Sequence, residues 1–236
     1  QSNMDPKHRD RIAFLRVCSG RFTKDMHVVH SRTGKSVRLS SSHKVFARER
    51  ETVHEAFPGD VIGLVGHAEF GIGDTLTEDP GIVYREIPRF APECFAYLHR
   101  GPADQYKRSR TGLEDLLREG LAQAFVKDAE QRVPLLGAVG PLQFEVLQYR
   151  LKHEYGADSR LEHTPWRVAR WVAPESAPAL AGAVGFFGME AVQDERGQTV
   201  LLFPEEWKLN YFSQDNPKVR LTRLPEGSLD GKAPVR

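Results

Sequence analysis

Val133-Pro134-Leu135-Leu136-Gly137-Ala138-Val139-Gly140-Pro141-Leu142-Gln143-Phe144-Glu145-Val146-Leu147-Gln148-Tyr149-Arg150-Leu151-Lys152-His153-Glu154-Tyr155-Gly156 decides the fold of the C-terminal part of the chain. Val133 to Val139 is an apolar run of strand length. Gly140-Pro141 then opens a helix, because proline lacks only an amide that the first turn leaves unused. Leu142, Val146, Leu147 and Leu151 fall at helical spacing and are read as its buried side. Gly156 stands where a left-handed C-terminal cap belongs.

Working outward, Cys94 to His99 reads as a strand. Leu113, Leu116, Leu117, Leu121 and Ala124 keep helical spacing. Phe125 to Asp128 and Val133 to Val139 are strands around a polar turn at Glu130-Gln131, and Trp166 to Val172 closes the set. The order β-α-β-β-α-β predicts a ferredoxin-like split motif over about residues 91–173. An extension over 174–236 follows. It carries a helix after Pro174, a strand at Val200 to Phe203, a helix from Glu205 to about Phe212, and a strand at Val219 to Leu224. Trp207, Tyr211 and Phe212 share one helical arc. Core packing is the expected use, with base stacking as the alternative.

Residues 11 to 82 show no 3.6-residue period. They read as short strands: Ile12 to Val17 before Ser19-Gly20, then Met26 to Ser31 and Ser36 to Leu39 around the turn Arg32-Thr33-Gly34-Lys35. Pro58-Gly59-Asp60 leads into Val61 to Val65, and Gly71-Ile72-Gly73-Asp74-Thr75 leads into Leu76. Evenly spaced short strands predict a small antiparallel β-barrel. Asp79-Pro80-Gly81, Pro88 and Pro92 punctuate the chain. The expected organisation is multi-domain, β then α/β: a tag remnant at 1–3, the barrel at 4–84, and the α/β domain at 85–236.

The chain has 236 residues, 40% hydrophobic and 28% charged, which excludes a disordered tail or a fibre. The longest uncharged apolar stretch, Ser176 to Met189, is too short for a membrane helix. Charges near the start, Asp5 to Arg11, leave no room for a signal peptide. Cys18 and Cys94 lack ligand spacing, and Cys18 is read as buried packing. Lys7 to Arg48 holds 11 Lys/Arg against two acids, whereas Glu49 to Asp79 holds eight acids and one Arg. Such asymmetry points to one face built for a polyanion. Arg21, Lys24, Arg32, Lys35 and Arg38, on turns and strands of the basic half, are the expected RNA contacts.

Motifs for catalysis fail. Thr33-Gly34-Lys35-Ser36 lacks the upstream glycine of a phosphate loop, with Val29 at that position, and strands flank it. Asp194-Glu195-Arg196-Gly197 is read as a surface turn. His27 and His30 fall on opposite faces of a strand, against a zinc site. Gly66, Gly71 and Gly73 precede no helix. The expectation is a binding fragment with no catalytic residue, cofactor or metal of its own.

Ala13-Phe14-Leu15-Arg16-Val17-Cys18-Ser19-Gly20, Pro58-Gly59-Asp60-Val61-Ile62-Gly63-Leu64 and Gly71-Ile72-Gly73-Asp74-Thr75-Leu76 resemble strands of the second domain of translational GTPases. Ile87-Pro88-Arg89-Phe90-Ala91-Pro92-Glu93, Glu119-Gly120-Leu121-Ala122-Gln123-Ala124-Phe125 and Ala169-Arg170-Trp171-Val172 are similar to the third domain of bacterial class-II peptide chain release factors. So is Gly137 to Leu147, where Leu142-Gln143-Phe144 favours this family over elongation factor G. Asp25 departs from the glycine common in such barrels, and Gly101-Pro102-Ala103 changes a loop. The resemblance implies domains two and three of a GTP-dependent translation termination factor. Its phosphate loop, guanine motif, GTP and magnesium belong to a missing N-terminal domain. It also implies a cytoplasmic protein, docking on the ribosome, and indirect action on the decoding release factors. The rivals are an elongation factor G relative and a stand-alone RNA-binding barrel.

Overall fold

A computed structural model describes residues 2–4, 11–40, 42–46, 49–67, 69–84, 90–127, 133–183 and 188–225. The chain divides into two compact units, Gln1–Ile87 and Pro88–Arg236. The boundary expected at 84/85 adjoins residues 85–89, which lie outside the described residues, as does the Glu130-Gln131 turn.

Among the described residues the first unit is all β. Its strands are β1 (Ser2–Met4), β2 (Arg11–Arg16), β3 (Phe22–Thr23), β4 (His27–His30), β5 (Lys35–Arg38), β6 (Ser42–Phe46), β7 (Glu49–Thr52), β8 (Glu55–Ala56), β9 (Val61–Val65) and β10 (Leu76–Thr77). They form antiparallel sheets in the orders β1-β2-β9-β6-β7, β10-β4-β5 and β3-β8. All three sheets feed one core: Phe22, Val28, Leu39, Val53, Ala56, Ile62 and Leu64, with Leu15, Val37 and Leu76 packed against it. This is the small β-barrel that the strand spacing predicts. Ser2 and Asn3, set apart as a tag remnant by the sequence, pair together with Met4 against β2, in the register Ser2↔Ala13 and Met4↔Arg11. A ladder asks only for extended backbone, and the outer edge of β2 offers free donors and acceptors to any such segment. Cys18, expected in the core, is exposed, because its strand ends at Arg16.

The second unit carries β11 (Cys94–Arg100), α1 (Tyr106–Arg118), β12 (Gln123–Val126), β13 (Leu135–Ala138), α2 (Pro141–Tyr155) and β14 (Ser159–His163). Then come β15 (Val168–Val172), α3 (Ala177–Ala181), β16 (Glu190–Asp194), β17 (Thr199–Phe203), α4 (Glu206–Asp215) and β18 (Leu221–Thr222). One eight-stranded sheet runs β14-β11-β13-β12-β16-β17-β15-β18. Its first four strands are the ferredoxin-like set. The closing strand of that set is Ser159–His163, however, and not Trp166 to Val172. Leu161 is its one large apolar residue, so an edge strand with a single core contact carries no period that the sequence reveals. The Trp166 to Val172 segment supplies β15 of the extension, paired with β17 and β18.

Both helices of the set pack on one face of the sheet. Leu113 and Leu116 of α1 meet Phe144, Leu147 and Leu151 of α2 over Ala96, Leu98, Leu136 and Ala138. The other face buries Phe95, Phe125, Leu135, Trp171, Val200 and Leu202. Helix α1 begins and ends earlier than its leucines suggest. Gly120, at φ +76°, turns the chain out of it, so Leu121 and Ala124 lie beyond the helix. Helix α2 starts at Pro141 and ends at Gly156 in the left-handed conformation, as expected. Its buried side differs: Leu142 is 69% exposed and Val146 45%, while Phe144 is buried. Trp207 and Tyr211, expected in the core, are also exposed, and only Phe212 of that arc is buried.

Candidate nucleic-acid interface

The five expected contact residues lie on the first unit. Arg21 precedes β3, Lys24 sits in the turn before β4, and Arg32 lies in the β4–β5 turn. Lys35 and Arg38 mark the two ends of β5, opposite His30 and His27. The turn forms because the amides of Thr33 and Gly34 both donate to the His30 carbonyl, at 3.1 and 2.8 Å. Gly34 takes φ +68°, which a side chain would resist. All five side chains belong to exposed residues.

They are not equivalent. Arg32, though exposed, is committed to a clamp on the half-buried Asp74. Its Nε donates to Asp74 Oδ1 at 2.7 Å and its Nη2 to Oδ2 at 2.8 Å. Nη2 also donates to the Glu69 carbonyl at 2.9 Å. The Gly71 amide and His30 Nε2 reach Asp74 Oδ2 as well, each at 2.7 Å. His30 is buried, its ring edge-on to Phe70 and its Nδ1 3.1 Å from the Thr33 hydroxyl. Burial alone pushes the Asp74 carboxyl up. Hydrogen bonds from Arg32, Gly71 and His30 outweigh it and hold the group at about 2. The clamp ties the β4–β5 hairpin to the loop before β10.

Arg21 faces Glu55 at 3.5 Å and Arg38 faces Asp25 at 3.3 Å, both on the surface. Such pairs are weak and exchange readily for other anions. Among the described residues, Lys24 and Lys35 form no ion pair. Asp25 is the one non-glycine described residue in the left-handed region, at φ +67°. That backbone is one glycine adopts at no steric cost, in keeping with the glycine that the resemblance implies there. The sequence reading missed the clamp itself. The Gly71 to Leu76 segment was its signal, since an Asp inside a glycine-rich loop can gather backbone amides.

Other motif residues take structural places. Asp194 Oδ1 accepts from the Arg196 and Gln198 amides, and Oδ2 from Trp171 Nε1, each at 2.9 Å. Asp194 to Gly197 is thus a turn pinned to the core tryptophan. His27 is exposed while His30 is buried, on opposite faces of β4. Among the described residues, no group of three or more His, Cys, Asp or Glu could hold a metal ion. Among the same residues, no helix is long and apolar enough to cross a membrane.

A small β-barrel is thus followed in the chain by a ferredoxin-like α/β unit. Residues 1–79 match the family described as elongation factor G domain 2. A crystal structure from Thermus thermophilus shares the fold at TM-score 0.58 and 21% identity, over 72% of this chain and 26% of that one. Residues 84–213 match the family described as class II release factor RF3, C-terminal domain, and the chain belongs to that family. Curated proteins named peptide chain release factor 3 are similar along nearly all of it. That of Acaryochloris marina is 46% identical over 231 residues, 98% of this chain and 42% of its own. That of Synechocystis sp. is 50% identical over 225 residues, 95% of this chain and 41% of its own. The chain therefore spans about two fifths of the length of these relatives.

Proposed function

We propose that this chain supplies the ribosome-docking domains of a GTP-dependent translation termination factor, one that drives decoding release factors off the ribosome after peptide release. The match of residues 84–213 to the class II release factor family carries the reading. GTP and magnesium then act in a part of the longer protein outside this chain, and the whole protein is a cytoplasmic GTPase. In the first unit, Lys24 and Lys35 are the primary contacts to ribosomal RNA. Arg21 and Arg38 are secondary ones that trade a surface carboxylate for phosphate. Arg32 positions the hairpin that presents Lys35. The division between the two domains falls at about residues 84–88.

Competition tests this. Excess chain added to ribosomes carrying a decoding release factor, together with full-length factor and GTP, should slow recycling of the decoding factor in proportion to ribosome occupancy. Unchanged recycling at saturating chain rejects docking. Equilibrium dialysis should find no stoichiometric GTP site on the chain, and a micromolar site would reject the division of labour.

A further inference from the structure

Helix α2 is apolar on two sides. Phe144, Leu147 and Leu151 face the sheet. Diametrically opposite, Leu142, Val146, Tyr149 and His153 follow one another at intervals of four, three and four residues. At 100° per residue they share an arc of about 60°. Leu142 is 69% exposed, Val146 45% and Tyr149 64%, and the His153 ring lies 4.2 Å from that of Tyr149. Val139, just before the helix, is exposed too. An apolar stripe of heptad spacing on the outside of a helix is a seam for a second helix.

We propose that this seam pairs α2 with α2 of a second copy of the chain, antiparallel about a two-fold axis. The flanking charges argue for that occupant. With Val146 opposite Tyr149 of the copy, Leu142 falls opposite His153, and symmetry repeats both layers. The same register sets Glu145 against Lys152 of the copy, twice, on one flank of the seam. Lys152 faces Asp158 at 3.3 Å, in a pair exposed on both sides and easily exchanged. On the other flank Arg150 is already held by Glu119 and Glu154, and the Gln143 carbonyl oxygen accepts from the Val139 amide. That flank therefore brings no unpaired charge to the interface. A parallel pairing would instead aim Glu145 at the occupied Arg150. The surface is thus complementary to itself in one orientation, as an isologous contact requires. This inference does not depend on the proposed function.

A seam of four side chains is small beside the 1,200–2,000 Å² typical of stable interfaces, so dissociation should fall on the order of 10–100 µM. Sedimentation equilibrium of the intact chain, from about 5 to about 500 µM, should then show a monomer–dimer equilibrium. Val146→Glu, at an exposed position, should leave the chain monomeric throughout with an unchanged circular dichroism spectrum. Glu145→Lys alone, or Lys152→Glu alone, should weaken the dimer about tenfold by opposing like charges twice. The double exchange should restore the parental dissociation constant. A parent that stays monomeric, a dimer indifferent to Val146→Glu, or a double exchange no better than the single ones would each overturn the pairing.

Discussion

Replacing Asp74 by Asn should loosen the barrel by about 1–3 kcal/mol at neutral pH, the range for leaving hydrogen bonds to a half-buried charged group unmade. The carboxylate accepts from Arg32, Gly71 and His30 at 2.7–2.8 Å. An amide has one accepting oxygen, and its NH2 must face a donor in either orientation. His30, 1% exposed, has no water to turn to. The wild-type contribution also depends on pH. The folded Asp74 carboxyl lies at about 2 against 3.8 ordinarily, so on acidification the unfolded chain takes up the proton first. This stabilisation is whole above about pH 5, falls as pH drops through 3.8 toward 2, and is gone below. The full shift is worth more than about 2 kcal/mol. Arg32 is 56% exposed, however, and solvent screening brings the figure to about 1–2 kcal/mol. Asn cannot titrate, so the gap between the two proteins should narrow by that amount across the window. Denaturant-dependent hydrogen exchange, read on peptides from residues 12–40 and 53–77, reports the first unit alone. A gap under about 0.5 kcal/mol at neutral pH, or one equal at pH 5 and pH 2.5, would refute the clamp.

Asp25→Gly should stabilise the barrel by up to about 1 kcal/mol, since relief of φ +67° exceeds the loss of an exposed pair with Arg38. Asp25→Val should lower stability, and the same exchange measurement separates the two. Gly112→Val places a Cβ 2.6 Å from Tyr155 Cγ and 3.0 Å from Leu151 Cδ2, which forces α1 off α2. A loss of about 1–3 kcal/mol in denaturation followed by tryptophan fluorescence is expected, and an unchanged midpoint would show that the helices can slide. Lys24→Ala and Lys35→Ala in the full-length factor should each reduce the log–log salt slope of ribosome co-sedimentation by about 0.7–0.9. An unchanged slope for both removes this face from the contact. Arg32 is unsuited to that experiment, because its loss breaks the clamp as well as a charge.

The sequence by itself determined several elements and some of their ends, and left β6, β7 and β16 unread, because their runs Ser42–Phe46, Glu49–Thr52 and Glu190–Asp194 are polar and carry no apolar period. Pro141 and Gly156 bound α2 through their own backbone preferences, and Gly34 set the hairpin turn. Evenly spaced short runs between turn residues were enough for a barrel, because these signals are local. Tertiary structure decided which of two apolar arcs of α2 is buried. Leu142 and Val146 have the same helical period as Leu147 and Leu151, and only the sheet beneath selects Phe144 and excludes Leu142. It also made a strand of Ser159–His163, whose one core side chain shows no period until β11 lies beside it. Trp207 and Tyr211 turned outward because α4 needs only Leu209 and Phe212 to cover its patch of sheet. The same distinction governs the basic face. Charge clustering located Arg21 to Arg38 in the chain, but the partner that commits Arg32 lies 42 residues away, at Asp74. An ion pair across that separation has no local signature, since it is the folding of two loops together that brings its charges to 2.7 Å.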